Sequence, residues 1–100
     1  MNNIILQGHI IVADNDLIKV KAELEHHIKL TKAEVGCLHF SVRQDSDNPN
    51  RFNVSEKFVS QNAFEQHQLR VKQSTWGKVT VNVQRFYNIE QVADSDEAIN

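Results

Sequence analysis

Cys37-Leu-His-Phe-Ser-Val-Arg-Gln-Asp45, followed by Ser46-Asp-Asn-Pro-Asn50 and then by Arg51-Phe-Asn-Val-Ser-Glu-Lys-Phe58, is the stretch that decides the fold of this chain. In its first part Leu38, Phe40 and Val42 alternate with His39, Ser41 and Arg43, the period of two that a half-buried strand needs. In its last part Phe52, Val54, Glu56 and Phe58 fall on one face of a second strand. Between them lie Asp and Asn side chains that bond their own backbone, and Pro49, which fixes φ. That is turn chemistry, so the two strands form an antiparallel hairpin with a rather long loop.

Elements of matching type flank the hairpin. Upstream, Ile4 to Val12 is a β-branched run of strand length and makes strand one. Asp14, Asn15 and Asp16 offer N-cap oxygens to a helix whose apolar face recurs at Leu17, Val20, Leu24 and Ile28, ending near Gly36. Downstream, Ser60 is suited to cap a helix from Gln61 to Lys72, with Val59 placed to pack on Phe64 as a hydrophobic staple. Ser74 to Val79 caps a further short helical turn, and Phe86 to Val92 is strand four, beginning two or three residues earlier. The order βαββαβ, joined without crossings, predicts an α+β, ferredoxin-like antiparallel sheet with both helices on one face. Strand one is apolar at both phases, Ile4, Leu6 and Ile10 on one and Ile5 and Ile11 on the other. Both faces of that strand should be covered, and a second subunit's sheet would cover the bare one.

A chain of 100 residues, 40% of them hydrophobic, can close one core but not two. A single domain over residues 1–92 is expected, with 93–100 as an acidic, disordered tail. The net charge of −2 and the scattered Lys and Arg offer no basic stripe to nucleic acid. No uncharged stretch approaches a membrane span, and Met1-Asn2-Asn3-Ile4 does not open a secretory leader. A cytoplasmic protein is expected, without nucleic-acid or membrane partners. The one cysteine, Cys37, lies in an apolar run where a buried reduced thiol is the ordinary occupant.

Two residues stand out against their surroundings. Glu56 is a carboxylate in an apolar row, where burial calls for a partner or a raised pKa. His67 sits on the apolar side of the second helix, with Ala63, Phe64 and Val71, over the sheet face that carries Glu56. A Glu that orients an imidazole makes a general base near neutral pH, and the same pair would equally serve to satisfy two buried polar groups. Arg85 and Tyr87 share a phase of strand four and suit an anionic oxygen. Phe40, Phe64 and Trp76 read as packing or cavity-lining groups. Five His are present, yet no Cys-x-x-Cys or His-Glu-x-x-His occurs, and neither does a G-x-G-x-x-G or Walker loop. No metal and no cofactor is expected.

The segments Gly36-Cys37-Leu38-His39-Phe40, Arg43-Gln-Asp45, Asn48-Pro49-Asn-Arg-Phe52, Glu56-Lys-Phe58 and Ala63-Phe64-Glu-Gln-His67 resemble the signature of antibiotic-biosynthesis monooxygenase (ABM) domains. The resemblance runs from Ile4 to Ile89, and its Glu-to-His portion is the most specific. It implies a dimeric α+β barrel with a pocket between sheet and helices in each subunit. It also implies cofactor-free oxygenase or quinol-oxidase activity on a small electron-rich aromatic: a phenol, a quinol or a polyketide-like compound. On that reading His67 and Glu56 are catalytic, with His67 the base and Glu56 orienting it, while Arg85 or Tyr87 holds the oxyanion. Phe40, Phe64 and Trp76 then join Arg85 and Tyr87 in binding the substrate. The chain departs from the family at Phe58, where many relatives carry Trp. It also lacks any His after His67, unlike the haem-degrading branch. A proton-shuttling isomerase acting on a small carbonyl or signal-molecule compound would use the same acid–base pair, and a non-catalytic ligand-binding homodimer remains a third reading.

Overall fold

The computed structural model describes residues 2–93. Strand β1 spans Asn2–Ile11, and a single 3-10 turn, Asp14–Asp16, leads into helix α1, Leu17–Lys32. The hairpin follows as β2, Cys37–Gln44, and β3, Arg51–Phe58. Helices α2, Gln61–Gln73, and α3, Thr75–Val79, precede β4, Gln84–Ala93. The sheet is antiparallel throughout, in the order β2-β3-β1-β4. This is the α+β, ferredoxin-like fold expected from the pattern. Ala93, assigned above to the tail, closes β4; the rest of the predicted tail lies outside the described residues.

One face of the sheet carries the core. Ile4, Leu6 and Ile10 of β1, Phe52, Val54 and Phe58 of β3, and Phe40 and Val42 of β2 are all buried there, joined by Val20 of α1 and Phe64 of α2. Each such large apolar side chain removed from water contributes about 1.5–3 kcal/mol before the entropy of ordering it is counted. The opposite face is barer: Ile5 and Ile11 are only half-buried, and Phe86, stacked on His9 at 4.8 Å, stays half exposed.

Three details differ from the periodicity reading. Helix α1 stops at Lys32 instead of near Gly36, because Ala33–Gly36 turn back on themselves, with Glu34 N–H bonding the Thr31 carbonyl and Cys37 N–H the Glu34 carbonyl. Asp14 and Asp16 do not cap it; Asp14 accepts from the Asn50 amide at 2.7 Å and Asp16 pairs with Lys19 at 3.0 Å. Leu38 leaves the face of Phe40 and Val42, because pairing jumps from Cys37↔Phe58 to His39↔Lys57. Leu38 is thus the extra residue of a β-bulge and lies half exposed. By contrast Ser60 caps α2 as expected, its hydroxyl accepting from Ala63 N–H at 3.1 Å.

The β1–β4 seam depends on Gly8. A Cβ there would lie 1.9 Å from the backbone oxygen of Phe86, so the two strands approach as closely as they do only because the position has no side chain. No helix among the described residues is long and apolar enough to cross a membrane.

Candidate active site

The alternation of β3 turns Glu56 inward with Phe52, Val54 and Phe58, where it is 8% exposed. Helix α2, fixed at its start by Ser60, brings Phe64 and His67 down onto the same face one turn apart. His67 is 3% exposed, with its ring 4.8 Å from that of Phe58.

The hydrogen bond that orients His67 comes from an unexpected residue. Nδ1 of His67 lies 2.9 Å from Oε2 of Glu34, in the turn that follows α1. The same carboxylate accepts from Arg70 Nε at 2.7 Å, and Arg70 Nη2 donates to Thr31 Oγ1 at 2.9 Å. His67 and Arg70 are one turn apart on α2, so both reach Glu34 from the same side. A carboxylate on Nδ1 holds the proton there and leaves a lone pair on Nε2. Glu56 does not make the orienting bond predicted for it. Its Oε1 lies 3.9 Å from His67 Nε2, beyond hydrogen-bonding range, and that buried oxygen has no hydrogen-bond partner among the described residues.

These surroundings set the protonation states. Burial, and then the negative charge of Glu34, push the Glu56 carboxyl up to about 7. Burial pulls His67 below the ordinary imidazole range, while its hydrogen bond to Glu34 and that carboxylate's charge act the other way. Near neutral pH the site therefore holds a neutral imidazole beside a carboxyl that can be found in either form. Burial, and then the charge of Glu34, push the thiol of the half-buried Cys37 up, which favours the protonated form over a thiolate.

Glu56 and His67 open on a cavity of about 230 Å³ between sheet and helices. Its apolar wall includes Leu6, Ile10, Phe40, Val54, Val71 and Trp76, and its polar groups include His27, Gln68, Arg85 and Tyr87. Arg85 is anchored by Nη2 donating to the Thr80 carbonyl at 3.2 Å. Tyr87 is 37% exposed overall, yet burial of its phenol, and then the Glu56 charge, push its ionisation up to about 12 against the pull of Arg85. It is accordingly a hydrogen-bond donor and not a base at neutral pH.

Of the residues singled out in the sequence, His67, Glu56, Arg85, Tyr87, Phe40 and Trp76 meet around this cavity. Phe64 does not line it: its ring packs edge-on against Phe58 at 5.7 Å, behind His67. Glu34, Arg70 and His27 were not anticipated. Of these only His27 carried a local signal, since Val20, Leu24, His27 and Thr31 form one helical stripe. Among the described residues no group of three or more His, Cys, Asp or Glu side chains is placed to hold a metal ion.

The fold and this buried Glu–His arrangement define a ferredoxin-like domain with a small, largely apolar-walled cavity under its helices. Residues 4–74 match the family model described as antibiotic biosynthesis monooxygenase, and the chain belongs to that family. Membership gives it, in general terms, a monooxygenase-like role. Solved structures share the fold. A proposed antibiotic biosynthesis monooxygenase from Bacteroides thetaiotaomicron is 22% identical, with a TM-score of 0.73 over 91% of this chain and 86% of its own. MupZ from Pseudomonas fluorescens is 16% identical, with a TM-score of 0.72 over 99% of this chain and 76% of its own. PA3566 from Pseudomonas aeruginosa is 20% identical, with a TM-score of 0.69 over 92% and 93%. Among curated proteins there is no match.

Proposed function

We infer that the protein is a cofactor-independent oxygenase of a small phenol or quinol, working as a homodimer in the cytoplasm. The observation that carries this reading is the state of His67: Nδ1 tied to Glu34, Nε2 beside a buried carboxyl, both at the wall of a cavity. Nε2 of His67 takes the phenolic proton, and the electron pair left on oxygen makes the aromatic ring a reductant. The substrate anion gives one electron to dioxygen, and the resulting radical pair couples at a ring carbon that bears hydrogen, giving a peroxide that takes the proton back from His67. Loss of water from that peroxide leaves a carbonyl on the substrate, so one oxygen atom enters the product and the other leaves in water. Arg85 and the un-ionised Tyr87 hold the developing oxyanion, and the apolar wall excludes water. A cavity of about 230 Å³ favours a one- or two-ring aromatic over a larger polyketide. The half-buried Ile5 and Ile11 beside exposed Phe86 are the surface on which a second sheet would pack.

A second reading draws on the elevated pKa of Glu56. A carboxyl that keeps its proton to about 7, 3.9 Å from a neutral imidazole, also suits an isomerase acting on a small carbonyl compound. The binding-only reading has less support, since Glu56 and His67 do not satisfy one another.

Oxygen consumption separates these readings. Purified protein, without added metal or cofactor, is given hydroquinones, naphthols and anthrones between about pH 6 and 8, with His67→Gln alongside. Uptake above spontaneous autoxidation that disappears in the variant is expected. No excess uptake with any of these compounds would set the oxygenase aside in favour of the isomerase.

A further inference from the structure

His27 is buried in the middle of the molecule, 3% exposed, and no step above uses it. Its ring lines the same cavity as His67 and lies flat on Trp76, with centroids 4.6 Å apart and planes 4° from parallel. Phe40 packs edge-on against it at 5.3 Å. Nδ1 of His27 is sealed from solvent and has no hydrogen-bond partner among the described residues. A buried N–H without an acceptor is rarer and costlier than a lone pair without a donor, so the ring proton belongs on Nε2. Nε2 is not among the sealed, unpartnered atoms, so it is the nitrogen left to donate from His27 to the cavity as a neutral N–H.

The spacing of the two imidazoles says what that N–H can reach. Their centroids are 6.3 Å apart. A ring nitrogen bonded to an oxygen at ~2.8 Å places that oxygen ~4 Å from the ring centroid, so two rings at this separation can share one oxygen at an angle of about 100°.

We propose that His27 is a second catalytic residue, whose neutral Nε2–H donates to the same substrate oxygen that gives its proton to His67. The inference rests on the reading of His67 as base toward a phenol. The phenolic O–H breaks, the proton goes to His67 Nε2, and the electron pair stays on an oxygen that His27 holds. An imidazolium at His27 would repel the proton arriving at His67; burial, then His67, Arg70 and His26, hold His27 neutral down to about pH 3. The groups that face it are His67 and Arg70 of α2, Glu56 of β3, Arg85 and Tyr87 of β4, and His26 on its own helix. Stacking on Trp76 fixes the plane of the donor before the substrate arrives.

The test is the ionisation of a bound phenol whose anion is coloured. 4-Nitrophenol is titrated with the wild type, His27→Phe and His27→Leu from about pH 5 to about pH 9, with circular dichroism as the check on folding. Wild type should lower the pH at which the bound ligand turns yellow. Both variants should raise it by about one unit, a tenfold loss of anion stabilisation, while binding of the neutral phenol changes little. Phe keeps the stack on Trp76 and Leu gives it up, so an effect common to both belongs to the lost N–H. Ionisation unchanged in both variants would overturn the assignment and leave the His67 reading intact. No nitrophenol bound by the wild type would overturn both. A shift of the expected size with no oxygen uptake from any quinol would remove the oxygenase alone.

Discussion

The helix-covered half of the inner sheet face and its β4 edge are built from the same register and end in different environments. On β1 and β3, Leu6, Ile10, Val54, Glu56 and Phe58 are buried. On β4, Tyr87 and Ile89 point to that same face opposite Gly8 and Leu6, yet are 37% and 51% exposed. The cavity thus has a closed end at Glu56, His67 and His27 and an open end at Arg85 and Tyr87. Desolvation acts hardest where the helices cover the sheet, and there a carboxyl rises to about 7 and an imidazole falls to about 3. Groups that move protons stand at the closed end, with the His27 donor beside them, and Arg85 and Tyr87, which act by donation alone, stand at the mouth. Substitutions in the closed half should change turnover and pH dependence together, and those at the mouth turnover alone.

The largest effect is expected from His67→Gln, which keeps a side chain of similar reach and removes the base. Turnover should fall by about 10²–10⁴-fold with the fold retained, as followed by oxygen uptake and circular dichroism. Retained turnover would move the proton-transfer role away from His67. Glu56→Gln tests the same half through stability. A Glu in the unfolded chain loses its proton near its ordinary value of 4.5, whereas Glu56 keeps its own to about 7. Between these values the folded chain holds the extra proton, so the stability this carboxyl contributes is whole below 4.5 and is lost as pH rises through 7. The loss is about 3 kcal/mol. His27 works in the opposite sense, its contribution being lost as pH falls from 6.5 toward 3. The difference between wild type and Glu56→Gln therefore isolates the carboxyl: the variant should gain on the wild type steadily from about pH 4.5 to 7 in urea unfolding. A difference that does not vary with pH would mean Glu56 is not desolvated.

Much of this was legible along the chain, for a physical reason. Periods of two and of 3.6 report which side of an element is covered, and they marked β3, α2 and the odd placement of Glu56 and His67. They do not report which element does the covering. Glu34 lies in a turn 33 residues from His67, and only the packing of α2 against the end of α1 brings the two together. His27 lies on the buried stripe of α1, yet the apolar residues of that helix trace its face through Ile28, which is less buried than His27. A strict period of two puts Leu38 with Phe40 and Val42, and one inserted residue in the β2–β3 pairing turns it away. Phe64 was placed on the correct side of α2, yet the rotation of the helix turns it toward Phe58 instead of the cavity.

Glu34→Gln sharpens the contrast within the closed end, because it removes the charge on Nδ1 while leaving an oxygen to accept from it. Turnover should drop by about 10–100-fold, the loss expected of one charge-assisted hydrogen bond. Any limb of its pH profile that Glu56 sets should move to lower pH, since the Glu34 charge helps raise Glu56. A variant with wild-type turnover and profile would show that His67 needs no carboxylate behind it.

The smallest effect belongs at the mouth. Tyr87→Phe deletes a hydroxyl at a position already 37% exposed, so stability should stay within about 0.5 kcal/mol of the wild type. If the phenol donates to a developing oxyanion, turnover should fall by about tenfold or less, since Arg85 remains beside it and carries the full charge. The loss should appear in kcat and kcat/KM alike, as for an interaction made only on the way to the transition state. A rise in KM with kcat unchanged would instead make Tyr87 a binding group, and the open end of the cavity would then serve recognition only. Equal sensitivity of stability to Tyr87→Phe and to Glu56→Gln would break the comparison itself, because β4 would have to be covered as fully as β3, and the cover would have to come from a second subunit.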